Sequence, residues 1–340
     1  MLRRMLDAHP RLAVTHEMHW IPKWYERRIG LTGEGLVTPD LVNMLLDYHG
    51  FTKFRFEPAA VRRMVDPEDP PTYAAFLSRI FDLYGEMQGK ELVGDKSPNF
   101  VRRMSLLHEL WPHTRFIHII RDGRDVYLSM RGWRKSDSQT ARGGPPPDHP
   151  GRLKDDPQGG FRYGDHVLSR FGGWEEDPVS AGGLWWKWNV LLGRADGEAL
   201  GPGLYREVRY EELVADPVES SKEICSFLDI PFDKRILRFA DGRTIAEGTS
   251  KQRWLPPTPG LRDWRTEMPE DAVRRFEAVT GDLLDALGYP RATSEVPPAA
   301  AARADVAARA FLEGLRTKRR PIPAGLWSHA EAGSGTAKRR

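Results

Sequence analysis

Cysteine is almost absent from this chain: Cys225 is the only one in 340 residues, so no internal disulfide can form and no cysteine-based zinc site can assemble. Long apolar runs are missing as well. No stretch of about 18 apolar residues and no signal-peptide core occurs, so no helical membrane span is expected and a reducing, cytoplasmic location is. An excess of one charge is also lacking. The 51 Lys and Arg against 48 Asp and Glu leave a net +3, too little for general binding to nucleic acid or a membrane surface. The ten histidines show no HExxH or paired spacing, so no metal site is expected. A GxxxxGK(S/T) loop is missing too, and with it the phosphate cradle that a nucleotide kinase needs. What remains is an ordinary globular balance, 40% apolar and 29% charged, which can bury a core over most of the length.

Four short segments read as strands, residues 12–15, 91–94, 115–120 and 204–209, each followed by charged or polar residues. Helical periodicity is predicted over 2–8, 39–49, 72–88, 99–110, 124–133, 184–200, 211–228 and 269–287. Strands separated by helices require crossover connections, so the fold class is α/β with a mainly parallel sheet. Residues 1–290 read as one domain. Within it, 135–166 is rich in Gly, Pro, Asp and Arg and includes Gly143-Gly144-Pro145-Pro146-Pro147; it reads as a long loop, either a binding lid or a disordered stretch. Residues 291–340 read as an Ala-rich helix over about 297–316 and a disordered basic tail ending Lys338-Arg339-Arg340.

Ligands of an open parallel sheet bind beyond the C-terminal ends of its strands. His16-Glu17-Met18-His19 follows the first strand, Asp95-Lys96-Ser97-Pro98 the second, Arg121-Asp122-Gly123-Arg124-Asp125 the third and Tyr210-Glu211-Glu212 the fourth. The third block is the most informative. Asp122 suits an N-cap and Asp125 stands three residues on, as in a capping box. Arg121 at the mouth of that helix could grip phosphate in a bidentate way, helped by free backbone N–H groups and the helix dipole. Ser129 lies two turns further on the same helix. Spacing alone equally allows Arg121 to pair with a surface carboxylate. His118 alternates along a strand and reads as a core histidine, and the cluster Trp185, Trp186 and Trp188 reads as core with a partly exposed edge.

Residues 115–129, with Arg121 and Ser129 eight apart, resemble the 3′-phosphate-binding strand, loop and helix of sulfotransferases. Gly94-Asp95-Lys96-Ser97-Pro98 looks like the segment whose lysine approaches the transferring sulfonate. Tyr210-Glu211-Glu212-Leu213 with Asp216-Pro217 resembles the family's YEDL…DP stretch, where the tyrosine lies near adenine, and Arg262-Asp263-Trp264-Arg265 looks like its C-terminal donor-binding region. The resemblance runs to about Pro290. It implies a P-loop-NTPase-like sulfotransferase fold and transfer of a sulfuryl group from 3′-phosphoadenosine 5′-phosphosulfate to a hydroxyl or amine. The acceptor would be a small molecule, a carbohydrate or a peptide. A sulfuryl group carries less negative charge than a phosphoryl group, so Lys96 and backbone donors suffice and no metal is required. Residues 15–22 resemble the catalytic-base segment of tyrosylprotein sulfotransferases, making Glu17 the first candidate for general base and His19 the second. Pro98 stands where cytosolic small-molecule sulfotransferases place a histidine, which removes that position from consideration. Glu17 could instead cap the following turn or pair with Arg27 or Arg28.

The family opens with a strand and a PxSGTT-type loop that cradles the 5′-phosphosulfate, and no glycine precedes Gly30 here. This leaves two expectations: a reading frame upstream of Met1 that encodes the strand and loop, or a catalytically degenerate donor-binding protein. Without that strand, its neighbours would be left with unpaired backbone groups.

Overall fold

Parallel pairing decides where charged side chains can gather. The computed structural model describes residues 1–15, 17–130, 173, 174, 176–241, 263–293 and 295–327. The expected long loop 135–166, Arg262 and the tail from 328 lie outside the described residues. In order, the elements are α1 (Leu2–Asp7), β1 (Leu12–Thr15), α2 (Trp20–Glu26), α3 (Pro39–Asp47), α4 (His49–Thr52), α5 (Pro58–Arg62), α6 (Tyr73–Gln88) and β2 (Leu92–Asp95). A 3₁₀ turn (Pro98–Arg102), α7 (Met104–Leu110), β3 (Phe116–Ile120), α8 (123–130), α9 (Pro178–Leu200) and β4 (Tyr205–Arg209) come next. The chain continues through α10 (Tyr210–Ala215), α11 (Pro217–Phe227), a 3₁₀ turn (Lys234–Arg238), α12 (Trp264–Glu267), α13 (Glu270–Ala286) and α14 (Pro298–Thr317).

All four expected strands form, within one residue of their predicted bounds, and the fold is α/β. β1 pairs with β2 in parallel from Leu12 opposite Leu92 to Thr15 opposite Asp95. β3 pairs with β4 in parallel from Phe116 opposite Tyr205 to Ile120 opposite Arg209. Among the described residues no ladder joins the two pairs. They share a core all the same, because Leu12 and Val14 of β1 pack in one cluster with Val208 of β4, Ile117 of β3 and the apolar face of α11. Every residue of β1 is buried, as expected of a parallel strand covered on both faces. Among the described residues the second edge of β1 is met by α1: Asp7 accepts from the Val14 N–H at 2.9 Å and Arg3 donates to the Val14 carbonyl at 2.8 Å.

Helix boundaries differ where backbone chemistry overrides periodicity. The single helix predicted over 211–228 breaks at Asp216-Pro217, because Pro217 brings no N–H. Asp216 leaves the helical region at φ −132°, ψ 82° and caps the next helix through the Glu219 N–H. The helix predicted over 99–110 breaks at Arg103, at φ −148°. α9 begins at Pro178, ahead of the predicted 184, since Asp177 caps Val179 and Ser180 and proline suits the first turn. The Ala-rich helix forms as α14 and buries Ala304, Ala308, Phe311 and Leu315 against Leu184 and Trp188 of α9 and Val279 of α13. No described helix is long and apolar enough to cross a membrane.

α9 crosses the β3–β4 pair through glycines. A Cβ on Gly193 would lie 2.5 Å from both His118 Cε1 and Val101 Cγ2. His118, half-buried in β3, is a satisfied histidine. Its Nδ1 lies 2.7 Å from the Tyr205 hydroxyl, which donates to Glu207, and burial pushes its pKa down to about 4. Gly193→Ala overpacks this crossing and should destabilise the protein by about 1–3 kcal/mol. Urea unfolding should show a lower midpoint with an unchanged slope; an unchanged midpoint would mean that α9 stands farther from β3 than this.

Candidate active site

The last rung of the β1–β2 ladder places Thr15 opposite Asp95, and the Asp95 carboxylate organises both strand ends. Asp95 accepts from Thr15 Oγ1 at 2.6 Å, from Ser97 Oγ at 2.9 Å and from the Met18 N–H at 3.3 Å. Burial raises its pKa to about 6 against the opposing effect of these donors. Immediately beyond, the Lys96 ammonium meets Glu17 Oε1, a contact between residues on different strand ends. Glu17 Oε2 lies 2.8 Å from His19 Nε2. Partial burial, with Arg3 and Arg4 adding repulsion, lowers the Lys96 pKa to about 8. Burial, then Lys23 and Lys53, lowers that of His19 to about 3, so its imidazole is neutral near neutral pH and Nε2–H is the donor to Glu17. Two of the other roles that the sequence left open for Glu17, the cap and the pairing with Arg28, are filled differently. His19 occupies the N-cap position of α2, without a side-chain cap, and Arg28 donates to the carbonyls of Thr32 and Gly33.

At the end of β3 the helix begins at once, as expected, and Asp122 caps it by accepting from the Arg124 N–H at 2.9 Å. The capping box is not completed by Asp125. Its two oxygens accept instead from the Trp264 N–H at 2.9 Å and from Arg121 Nη2 at 3.2 Å, and burial raises its pKa. The Asp122 N–H is held by Glu211 at 2.9 Å, and Glu211 also accepts from the Tyr289 hydroxyl at 3.0 Å. Gly123 is required by close approach, because a Cβ there would meet the Trp186 ring at 2.5 Å. Trp186 in turn donates its indole N–H to the Arg121 carbonyl at 3.1 Å.

Arg121 therefore sits in a built frame. Its guanidinium lies over the Tyr210 ring, 4.5 Å from the centroid, and its Nε–H is buried with no hydrogen-bond partner among the described residues. Ser129 is half-buried two turns along α8. Arg262 falls outside the described residues, but Trp264 from the same block closes over Arg124 with its ring 3.6 Å from the guanidinium carbon. Among the described residues, no group of three or more His, Cys, Asp or Glu could hold a metal ion.

Sequence reasoning missed the residues that support this frame. Arg124 is fully buried; it donates to both oxygens of Asp122, to Glu277 at 2.5 Å and to the Pro290 carbonyl at 2.9 Å. Glu277 is also fully buried and accepts further from the N–H groups of Ala292 and Thr293. The signal was present: Glu277 stands on the apolar stripe of α13 among Val273, Phe276, Thr280 and Leu284, where a carboxylate needs a partner. Trp186 and Trp188 are core, and Trp185 is only half-buried, as the sequence predicts.

A family profile described as "Sulfotransferase family" matches residues 1–148 and 169–234. A Caenorhabditis elegans protein described as "Putative protein-tyrosine sulfotransferase" is 24% identical over 301 residues, 86% of this chain and 93% of that protein. Rat carbohydrate sulfotransferase 1 is 32% identical over 97 residues, 27% of this chain and 24% of that protein. Among solved structures, the sulfotransferase domain from the curacin biosynthetic pathway superposes with a TM-score of 0.43 at 18% identity, covering 85% of this chain and 93% of that one.

Arg124→Met removes the central cation of a buried cluster, leaving the Asp122 carboxylate without its guanidinium partner and Glu277 with Arg291 alone as a cation. The expected cost is about 3–5 kcal/mol, against at most about 1 kcal/mol for Arg274→Ala, which breaks an exposed pair with Glu270. Chemical denaturation of the two variants side by side measures the difference, and equal losses would show that the buried cluster carries no special weight.

Proposed function

The chain belongs to the sulfotransferase family, and from that premise we propose that it moves a sulfuryl group from 3′-phosphoadenosine 5′-phosphosulfate to a hydroxyl or amine acceptor. The observation that carries the proposal is the meeting of Lys96 with Glu17 beyond the C-terminal ends of two paired parallel strands. A cation that can stabilise departing negative charge thereby stands beside a carboxylate that can take the acceptor's proton. Glu17 is assigned as general base. His19 is assigned to orienting it, since an imidazole held neutral with Nε2–H pointing at Glu17 is a poor proton acceptor there.

Arg121, with Ser129, is assigned to the donor's 3′-phosphate, and Tyr210 to the neighbourhood of the adenine. The unpartnered Nε–H of Arg121 supports this, because a phosphate oxygen satisfies a buried donor that Asp125 leaves unused. The aromatic ring beneath the guanidinium fixes its plane, which favours bidentate contact. The acceptor is expected among protein tyrosines, sugars and small hydroxylated or aminated molecules, the first two being the classes named for the relatives.

Arg121→Ala should weaken adenosine 3′,5′-bisphosphate binding roughly ten- to hundred-fold, as for loss of a charge-assisted contact of about 1.5–3 kcal/mol, and leave 5′-AMP binding nearly unchanged. Calorimetry with both ligands is the measurement, and equal losses would take Arg121 away from the 3′-phosphate. Glu17→Gln should lower kcat by roughly 10²- to 10⁴-fold with bisphosphate affinity kept. An acceptor panel with labelled donor provides the assay. Donor binding without turnover on any acceptor would favour a non-catalytic donor-binding protein.

A further inference from the structure

We infer that Asp95 is a positioning residue whose carboxylate sets the turn that carries Glu17 and the strand end that carries Lys96, so that the two side chains meet. The inference rests on the roles proposed above for Glu17 and Lys96. Asp95 touches neither side chain, although it accepts from the Lys96 backbone N–H. It holds the chain on both sides of Glu17, through Thr15 Oγ1 at 2.6 Å and the Met18 N–H at 3.3 Å. It also precedes Lys96 directly and accepts from Ser97 Oγ, just beyond, at 2.9 Å. The backbone at each end of the Lys96–Glu17 contact is thus tied to one pair of oxygens.

This matters because the pair cannot hold itself. Lys96 and Glu17 have side chains 46% and 30% exposed, and a solvent-exposed ion pair between flexible side chains is weak and screened by salt. Their alignment has to come from the backbone that presents them. An asparagine in place of Asp95 would keep the shape but offer one acceptor oxygen where the site has donors for two. The remaining donors would then face an NH₂ group, and the turn would lose at least one anchor.

The charged groups around this carboxylate are Lys96 on its own segment, Glu17 and His19 on the connection from β1 to α2, and Arg3 and Arg4 of α1, which act on Lys96. On the α6 side, Tyr84 lies near Asp7 and Arg3. Burial brings Asp95 itself to about 6. Below that pH the carboxyl takes a proton and gives up part of its accepting capacity, so the anchored turn should loosen in mild acid.

The test uses the full chain with Asp95→Asn and Thr15→Val. In the wild type, the Met18 amide resonance should shift through an apparent pKa of about 6, and Asp95→Asn should abolish that shift. Thr15→Val keeps a β-branched strand residue but removes one donor to the charged carboxylate, which should move the titration up by about one pH unit or more. In turnover, Asp95→Asn should lower kcat by about 10²-fold with KM for donor and acceptor unchanged, as for misplaced rather than missing groups. The acid limb of the Thr15→Val rate profile should rise with the amide titration, whereas a limb owed to Glu17 alone would stay in place. Wild-type kcat and an unmoved acid limb in both variants would overturn the inference, as would a Met18 resonance indifferent to Asp95. A wild type that transfers no sulfuryl group defeats the functional reading instead, and the Met18 titration then still decides whether Asp95 sets the turn.

Discussion

Arg124 exposes no side-chain surface, and a buried guanidinium is tolerated only where carboxylates and hydrogen bonds replace its water. The turn after β3, the middle of α13 and residues 290–293 are therefore fixed relative to one another by the need to satisfy it. Asp122 answers from the turn, Glu277 from α13, and the Pro290 carbonyl from the segment beyond. Glu277 accepts further from the Ala292 and Thr293 N–H groups and from Arg291. Because Asp122 is also the N-cap of α8, the same contacts that bury Arg124 set the start of the helix on which Arg121 and Ser129 depend. The guanidinium proposed to meet a ligand is aimed by one that cannot.

The two strand ends share a common logic. At each, a carboxylate turned inward collects backbone and side-chain donors, Asp95 at β2 and Asp122 after β3. The neighbouring cations, Lys96 and Arg121, are then less than fully engaged. They differ in wetness. Lys96 and Glu17 sit at a half-open edge, where water screens their attraction. Arg121 and Asp125 are mostly buried, at 20% and 13% exposure, where direct hydrogen bonds count for more. Proton movement suits the first setting, and discrimination between anions suits the second.

How much of this was legible in the sequence depended on distance along the chain. β1–β4 and the abrupt start of α8 are written in local patterns, and the structure returns them within a residue or so. Charged residues at the strand ends were legible because a parallel sheet covered on both faces leaves them nowhere else to go. The partners were not legible. Asp125 was expected to complete a capping box three residues from Asp122, but Trp264 and Arg121 compete for its oxygens and win. Glu211, almost ninety positions away from Asp122, takes the vacated N–H instead. No local period announces such exchanges. The breaks at Arg103 and Asp216 were missed for a different reason: apolar spacing continued through them, whereas a missing N–H at Pro217 and a departure from helical φ and ψ at Arg103 ended the ladders.

The Arg121–Asp125 pair bears on what the proposed donor site would accept. A ligand reaching Arg121 Nη2 must compete with Asp125, which lies 3.2 Å away. Release of that carboxylate is eased by two features: the Trp264 N–H remains bonded to its other oxygen, and burial already raises its affinity for a proton. A neutral 3′-hydroxyl brings no charge with which to displace a carboxylate, so a nucleotide lacking the 3′-phosphate leaves the internal pair intact. A phosphate brings charge and two oxygens, enough to engage Nη2 and the unused Nε–H together. In the proposed site, specificity for the 3′-phosphate would then arise partly from what Arg121 must give up, an internal competitor that only a strong anion can replace.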